Sequence, residues 1–112
     1  MKRPTKREAQ LAHAQRRFAE RLPNAGVTPA EIGERIRKHE SLKTWPQSAF
    51  MVLHALIVND RIELFLYDRR RHLVVTVLPD QDGRVTVARW KLRHRLMEER
   101  IRVSIARSRL VA

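Results

Sequence analysis

The chain contains no cysteine, which removes disulfide scaffolds, thiolate zinc sites and cysteine nucleophiles together. With three glycines in 112 residues there is no glycine-rich phosphate loop and no G-x-S-x-G elbow, so nucleotide hydrolysis and acyl transfer have no support. Long hydrophobic runs are also missing. The longest, Ala49 to Val58 with His54 inside it, is about half of what a membrane-spanning helix needs. The basic start Met1-Lys2-Arg3-Pro4-Thr5-Lys6-Arg7 leads into an amphipathic stretch instead of the apolar segment of a signal peptide. The expectation is a cytoplasmic protein with no membrane partner. His39, His54 and His94 are scattered, and no carboxylate and histidine spacing resembles a zinc or iron site, so neither a metal nor a cofactor is expected. His54, inside its apolar run, reads as a core histidine. Aromatic residues make up only 5%, and Trp45 and Trp90, each beside an element boundary, are expected to pack between helix and sheet more than to stack on bases.

What the chain has in abundance is positive charge. Its 24 Lys and Arg against 12 Asp and Glu give a formal net charge of +12, which fits a polyanionic partner. Arginine is the commoner of the two cations, and its planar guanidinium can hold two phosphate oxygens at once or stack on an unpaired base. RNA or DNA is therefore the expected partner, with RNA preferred.

The apolar pattern predicts an α+β domain over residues 8–112 behind a basic arm at residues 1–7. Leu11, Ala14, Phe18 and Leu22 make a helical stripe over about Arg7 to Leu22. Thr28-Pro29-Ala30-Glu31 supplies an N-cap, a proline at the first helical position and a capping-box glutamate, predicting a second helix over about Pro29 to Lys38. After a loop at Ser41 to Gln47, the runs Phe50–Val58, Arg61–Tyr67, His72–Leu78 and Arg84–Arg89 predict a four-stranded antiparallel meander. Asn59-Asp60, residues 68–71 and Pro79-Asp80-Gln81-Asp82-Gly83 are its turns. From Trp90 onward a long basic helix is expected, with Trp90, Met97, Ile101 and Ile105 roughly on one side. Between Arg89 and Arg109 it holds eight Lys or Arg and two Glu, a formal +6.

The first helix places His13, Arg17 and Arg21 one turn apart along a row distinct from its apolar stripe. Like charges at that spacing oppose each other, and an anion lying across the row would relieve them. A solvated basic face with a bystander histidine is the other reading of the same row.

The pattern H-A-x-x-R-F-x-E-R at His13 to Arg21, the helix opening T-P-A-E-I, Arg61-Ile62-Glu63-Leu64-Phe65-Leu66-Tyr67-Asp68 and Leu73-Val74-Val75-Thr76-Val77-Leu78-Pro79 together resemble small phage and mobile-element proteins. These lie in or near the superfamily of RelE-like, barnase-like and colicin-like RNases. The resemblance covers roughly His13 to Pro79. It implies two helices before a four-stranded antiparallel sheet, RNA cleavage without a metal, and an acidic antitoxin as partner; a host protein complex is the partner in a non-catalytic reading. Position by position it assigns His13 and Arg17 to the site, with Thr76 on the V-T-V-L-P strand. The basic turn Arg69-Arg70-Arg71-His72 and the long basic final helix depart from the pattern.

Cleavage of this kind is attack of an RNA 2′-hydroxyl on its own phosphorus, which needs a proton acceptor, a proton donor and cations around the developing charge. His13 or His72 could do the proton work, since an imidazole titrates near neutrality, with Arg17, Arg21 and Arg71 around the phosphorane. Arg69, Arg70, Arg71, Arg89, Lys91, Arg93, Arg95, Arg100 and Arg102 are the candidate nucleic-acid contacts. Two non-catalytic readings stand beside this RNase-like toxin or effector: a phage or plasmid nucleic-acid-binding protein, and a cationic inhibitor of a host enzyme. If the charge serves phosphates, the affinity for an RNA oligonucleotide measured by fluorescence anisotropy will fall log-linearly with salt, with a slope of several released counterions. A flat salt dependence excludes that use of the charge.

Overall fold

A computed structural model of the chain describes residues 3–80 and 82–111, with side chains for all of these except 110 and 111. The elements in order are α1 (Lys6–Arg21), α2 (Pro29–Arg37), β1 (Lys43–Pro46), β2 (Met51–Val58), β3 (Arg61–Asp68), β4 (Leu73–Leu78) and α3 (Arg84–Val111). The fold is α+β, with one antiparallel sheet in the order β1-β2-β3-β4. Met1 and Lys2 of the expected basic arm, and Gln81 of the expected turn, lie outside the described residues.

Both N-terminal helices start where their capping signals stand. Thr5 and Glu8 form a reciprocal capping box at 3.1 and 3.3 Å, so α1 starts at Lys6, one residue before the expected helix and inside the expected arm. Thr28 Oγ1 accepts from the Glu31 amide at 3.2 Å, and Pro29 occupies the first turn of α2 without removing a bond the helix could have made.

The sheet is organised by β2 and β3. Asn59 and Asp60 both take positive φ, 49° and 64°, as the two-residue turn of a hairpin requires for its twist to match that of the strands. This turn sets the register that pairs Leu53 with Leu66, His54 with Phe65 and Leu56 with Glu63. Alternation then divides the side chains between two cores. On one face Phe18 of α1 and Ile32 and Ile36 of α2 pack on Leu56, Val58, Phe65, Tyr67, Val74 and Val77. On the other, Leu53, Ala55 and Leu64 are covered by Leu42, Trp45 and the start of α3 through Val85, Ala88 and Leu92. In β4 the pairing slips between Leu66 opposite Thr76 and Tyr67 opposite Val74, leaving Val75 as a bulge residue.

Two expectations change. The fourth strand is Lys43–Pro46, not Arg84–Arg89. The four-residue β1 falls inside the expected loop because it ends on proline, which an edge strand tolerates since its outward N–H has no ladder partner. Arg84–Arg89 alternates like a strand, yet it is the first part of α3, started by the Val87 amide on the Gly83 carbonyl at 3.1 Å. Val85, Ala88 and Leu92 bring one helical stripe onto the sheet, and this three- and four-residue spacing prevails over the short alternation. The expected stripe of Trp90, Met97, Ile101 and Ile105 is 50–64% exposed. Beyond Leu92 every residue to Arg109 is exposed.

Among the described residues, none from Leu96 onward belongs to either core, so on deletion of residues 96–112 the thermal midpoint by circular dichroism is expected to move by only a few degrees. Phe65→Ala, which empties a site 0% exposed, is expected to cost about 3–5 kcal/mol. Unfolding of the shortened chain at room temperature contradicts this division of the helix.

Candidate active site at the open side of the sheet

The α1 and α2 helices lie toward β3 and β4, and part of the same sheet face beyond the end of α2 stays open. There β1 contributes Thr44 and Pro46, β2 contributes Val52 and His54, and β3 contributes Tyr67. The end of α2 and the β3–β4 turn close the sides of a hollow of about 450 Å³ that also receives Arg37, His39, Arg69 and His72. Three of the five histidines of the chain thus meet in one place.

Each is held by a different local device. His54 projects from β2 half-buried, its Nδ1 2.7 Å from Ser41 Oγ and its ring edge-on to Tyr67 with centroids 5.6 Å apart. Burial, and then the charge of Arg69, hold its imidazole below the usual histidine range. With Nδ1 engaged by the serine, Nε2 is the nitrogen left for a substrate. His72 ends the β3–β4 turn at φ 55°, with Nδ1 3.4 Å from the Tyr67 hydroxyl, while its carbonyl accepts from Arg37 at 3.4 Å. The turn is pinned by Asp68, 3% exposed, whose Oδ1 accepts from the Arg70 and Arg71 amides at 3.0 and 3.1 Å. Arg37 stands beside Glu34 at 2.7 Å and holds that carboxyl below the usual carboxylate range.

His39 follows α2 at φ 59°, its amide bonded to the Ile36 carbonyl at 3.0 Å and that of Glu40 to Arg35 at 3.1 Å. This is a Schellman motif, whose left-handed position is usually glycine. Two histidines on one hollow thus occupy left-handed backbone positions, each at a cost of order 1 kcal/mol.

The residues expected from sequence fall into separate places. His13 and Arg17 are half-buried along the flank of α1 and Arg21 is exposed, so the row exists, but Arg17 is paired with Glu20 at 3.2 Å. Thr76 is 8% exposed, with Oγ1 on the Val77 carbonyl at 3.4 Å. Strand alternation puts it on the α3 side of the sheet, away from α1. No hydrogen bond among the described residues joins His13 to His72 or Thr76. Of these five, His72 is the one in the hollow.

Of the basic turn, Arg69 lines the hollow, Arg70 lies over the Phe50 ring at 5.4 Å, and Arg71 approaches Asp68 at 3.6 Å. Arg89, Lys91, Arg93, Arg95, Arg100 and Arg102 are exposed along α3. Trp45 packs against the α3-side core as expected, whereas Trp90 is 64% exposed and stacks on His94 at 5.2 Å.

Sequence reasoning missed His54, His39, Tyr67 and Arg37 as one group. Part of the signal was available: a two-residue turn at Asn59-Asp60 sets His54 opposite Phe65 and hence diagonal to Tyr67 on one face. Other hollows carry less chemistry. One of about 560 Å³ at the base of α3 is lined by Arg61, Glu63, Asp80 and Arg89, charges of both signs without histidine.

Comparison of the chain with protein-family models, with curated proteins and with solved structures finds no match in any of the three.

The strained position of His39 gives a test. His39→Gly is expected to raise stability by about 0.5–1 kcal/mol in urea unfolding, because glycine adopts positive φ freely. Destabilisation would mean that the imidazole itself holds the α2 terminus.

Proposed function

We propose that this protein cleaves RNA without a metal, at the hollow between α2 and the β3–β4 turn. The observation that carries the reading is the gathering of His54, His72, Tyr67, Arg37 and Arg69 around one cavity in a chain of net charge +12. The assignment moves the centre of the chemistry from the α1 row to the sheet.

In this reading His54, kept neutral by its depressed pKa, takes the proton from a ribose 2′-hydroxyl through Nε2 as the oxygen attacks the adjacent phosphorus. His72 gives a proton to the departing 5′-oxygen. The P–O5′ bond breaks as the P–O2′ bond forms, leaving a 2′,3′-cyclic phosphate on one fragment and a 5′-hydroxyl on the other. Arg37 and Arg69 stabilise charge on the phosphorane oxygens, and Tyr67 orients His72.

The test is incubation of a fluorescent single-stranded RNA with purified protein in excess chelator. Fragments ending in cyclic phosphate are expected. His54→Ala and His72→Ala should each lower kcat by about 10²-fold or more, whereas His13→Ala should stay close to the parent. A general base must be unprotonated, and a lowered pKa keeps His54 neutral to more acidic pH, so the acid limb of the pH–rate profile should lie below the ordinary histidine value of about 6.5. Intact RNA with tight, salt-sensitive binding would replace this reading with that of a binding protein, and loss of cleavage in His13→Ala alone would return the site to α1.

A further inference from the structure

The last two-thirds of α3 carry an apolar surface that the fold does not use. The stripe that packs on the sheet through Val85, Ala88 and Leu92 runs on as Leu96 and Val103, which are 49% and 47% exposed. A second row, Trp90, Met97, Ile101 and Ile105, is 64%, 60%, 53% and 50% exposed. At about 100° per residue the two rows lie roughly 155° apart, on opposite sides of the helix. Cations fill both intervals. Arg89, Arg93, Arg100 and Arg107 form one row and Lys91, Arg95, Arg102 and Arg109 the other, with Glu98 and Glu99 the only acidic residues in the helix. The molecule extends 74 Å along its longest axis against 26 and 25 Å across. Like charges four residues apart, as at Arg89 and Arg93 or Lys91 and Arg95, oppose each other along this helix.

We infer that the projecting part of α3 is the docking site of an acidic protein partner that clasps the helix from both sides, inserting apolar side chains into each row and carboxylates against each line of arginines. The two apolar rows select among the possible occupants. A membrane surface is planar and takes one row, leaving the opposite one in water. Nucleic acid satisfies the guanidinium groups but leaves Leu96, Met97, Ile101 and Val103 exposed. A second copy of this chain brings arginine rows against arginine rows on both flanks of any shared seam, where like charges disfavour pairing. An acidic chain with apolar residues at three- and four-residue spacing satisfies the rows and the charges together. This inference stands independently of cleavage at the histidine hollow.

Isothermal titration calorimetry of the full chain tests it, using as probe a synthetic helical peptide with leucine at the a and d positions of a heptad and glutamate at most others. A peptide of identical composition in shuffled order is the control. Two peptides per chain are expected, bound at least tenfold more tightly than the shuffled one. Leu96→Asp with Val103→Asp, or Met97→Asp with Ile101→Asp, should each reduce the stoichiometry to one, with the circular dichroism of the domain unchanged because none of these side chains enters the core. Equal binding of the shuffled peptide would overturn the inference by showing that charge alone is recognised. Tighter partition onto vesicles containing phosphatidylglycerol would assign the surface to lipid, and a dimer in sedimentation that either seam pair dissolves would assign it to a second copy. Single-stranded RNA that binds α3 while neither peptide does would assign it to nucleic acid.

Discussion

The pairing of β2 with β3 across Asn59-Asp60 is the constraint on which the rest of the molecule depends. Both strands bury side chains on both faces, so their register decides which residues meet α1 and α2 and which meet α3. A one-residue slip would exchange the two sets. Phe65 would leave Phe18, whose ring now lies 5.5 Å from it, and His54 would leave the hollow. The positive φ values at the turn are therefore coupled through the ladder to the packing of both cores. The histidine site inherits its geometry from the same pairing, since His54 and Tyr67 lie on neighbouring strands of one face.

Around that frame the chain accepts local cost where chemistry would use it. His39 and His72 hold left-handed conformations that glycine or asparagine adopts with less strain. Asp68 is buried and spends one carboxylate oxygen on two turn amides, an arrangement that orders Arg69 and His72 beside the hollow. Helix α2 ends at the same place, so its Schellman motif, the basic turn and the open strands β1 and β2 all converge. Two left-handed histidines and the half-buried His54 around one hollow, against two well-packed apolar cores elsewhere, fit the pattern expected of a functional site.

The two halves of α3 obey different rules. Its first turns form part of a core, with Ala88 0% exposed and Val85 and Leu92 beside it. Past Leu92 the helix has no sheet beneath it, and the same apolar stripe continues into solvent together with a second one opposite. A helix with two apolar rows and two cationic rows has no single face to bury against its own domain, which explains how it can project. The positive charge of the chain is thereby carried largely outside the region where the histidines gather.

Some features are determined by the sequence alone because their causes are local. The caps at Thr5 and Thr28 lie within three residues of the amides they bind, the Asn59-Asp60 turn is two residues long, and the helical and strand periodicities of α1, α2, β2, β3 and β4 can be read from a few neighbours. The net charge of +12 is a matter of composition. The long basic helix is also legible, although its start is not, because Arg84–Arg89 alternates like a strand and only the sheet beneath Val85, Ala88 and Leu92 decides for helix. The short β1 strand is likewise decided by its partner, since Lys43–Pro46 has little strand character until β2 offers its edge. The candidate site is almost wholly tertiary. His39, His54 and His72 come from a helix end, a strand centre and a turn, and no one-dimensional spacing relates them. What brings them together is the register of one hairpin and the docking of α2 on it, which depend on the summed burial of two cores and not on the residues that line the hollow.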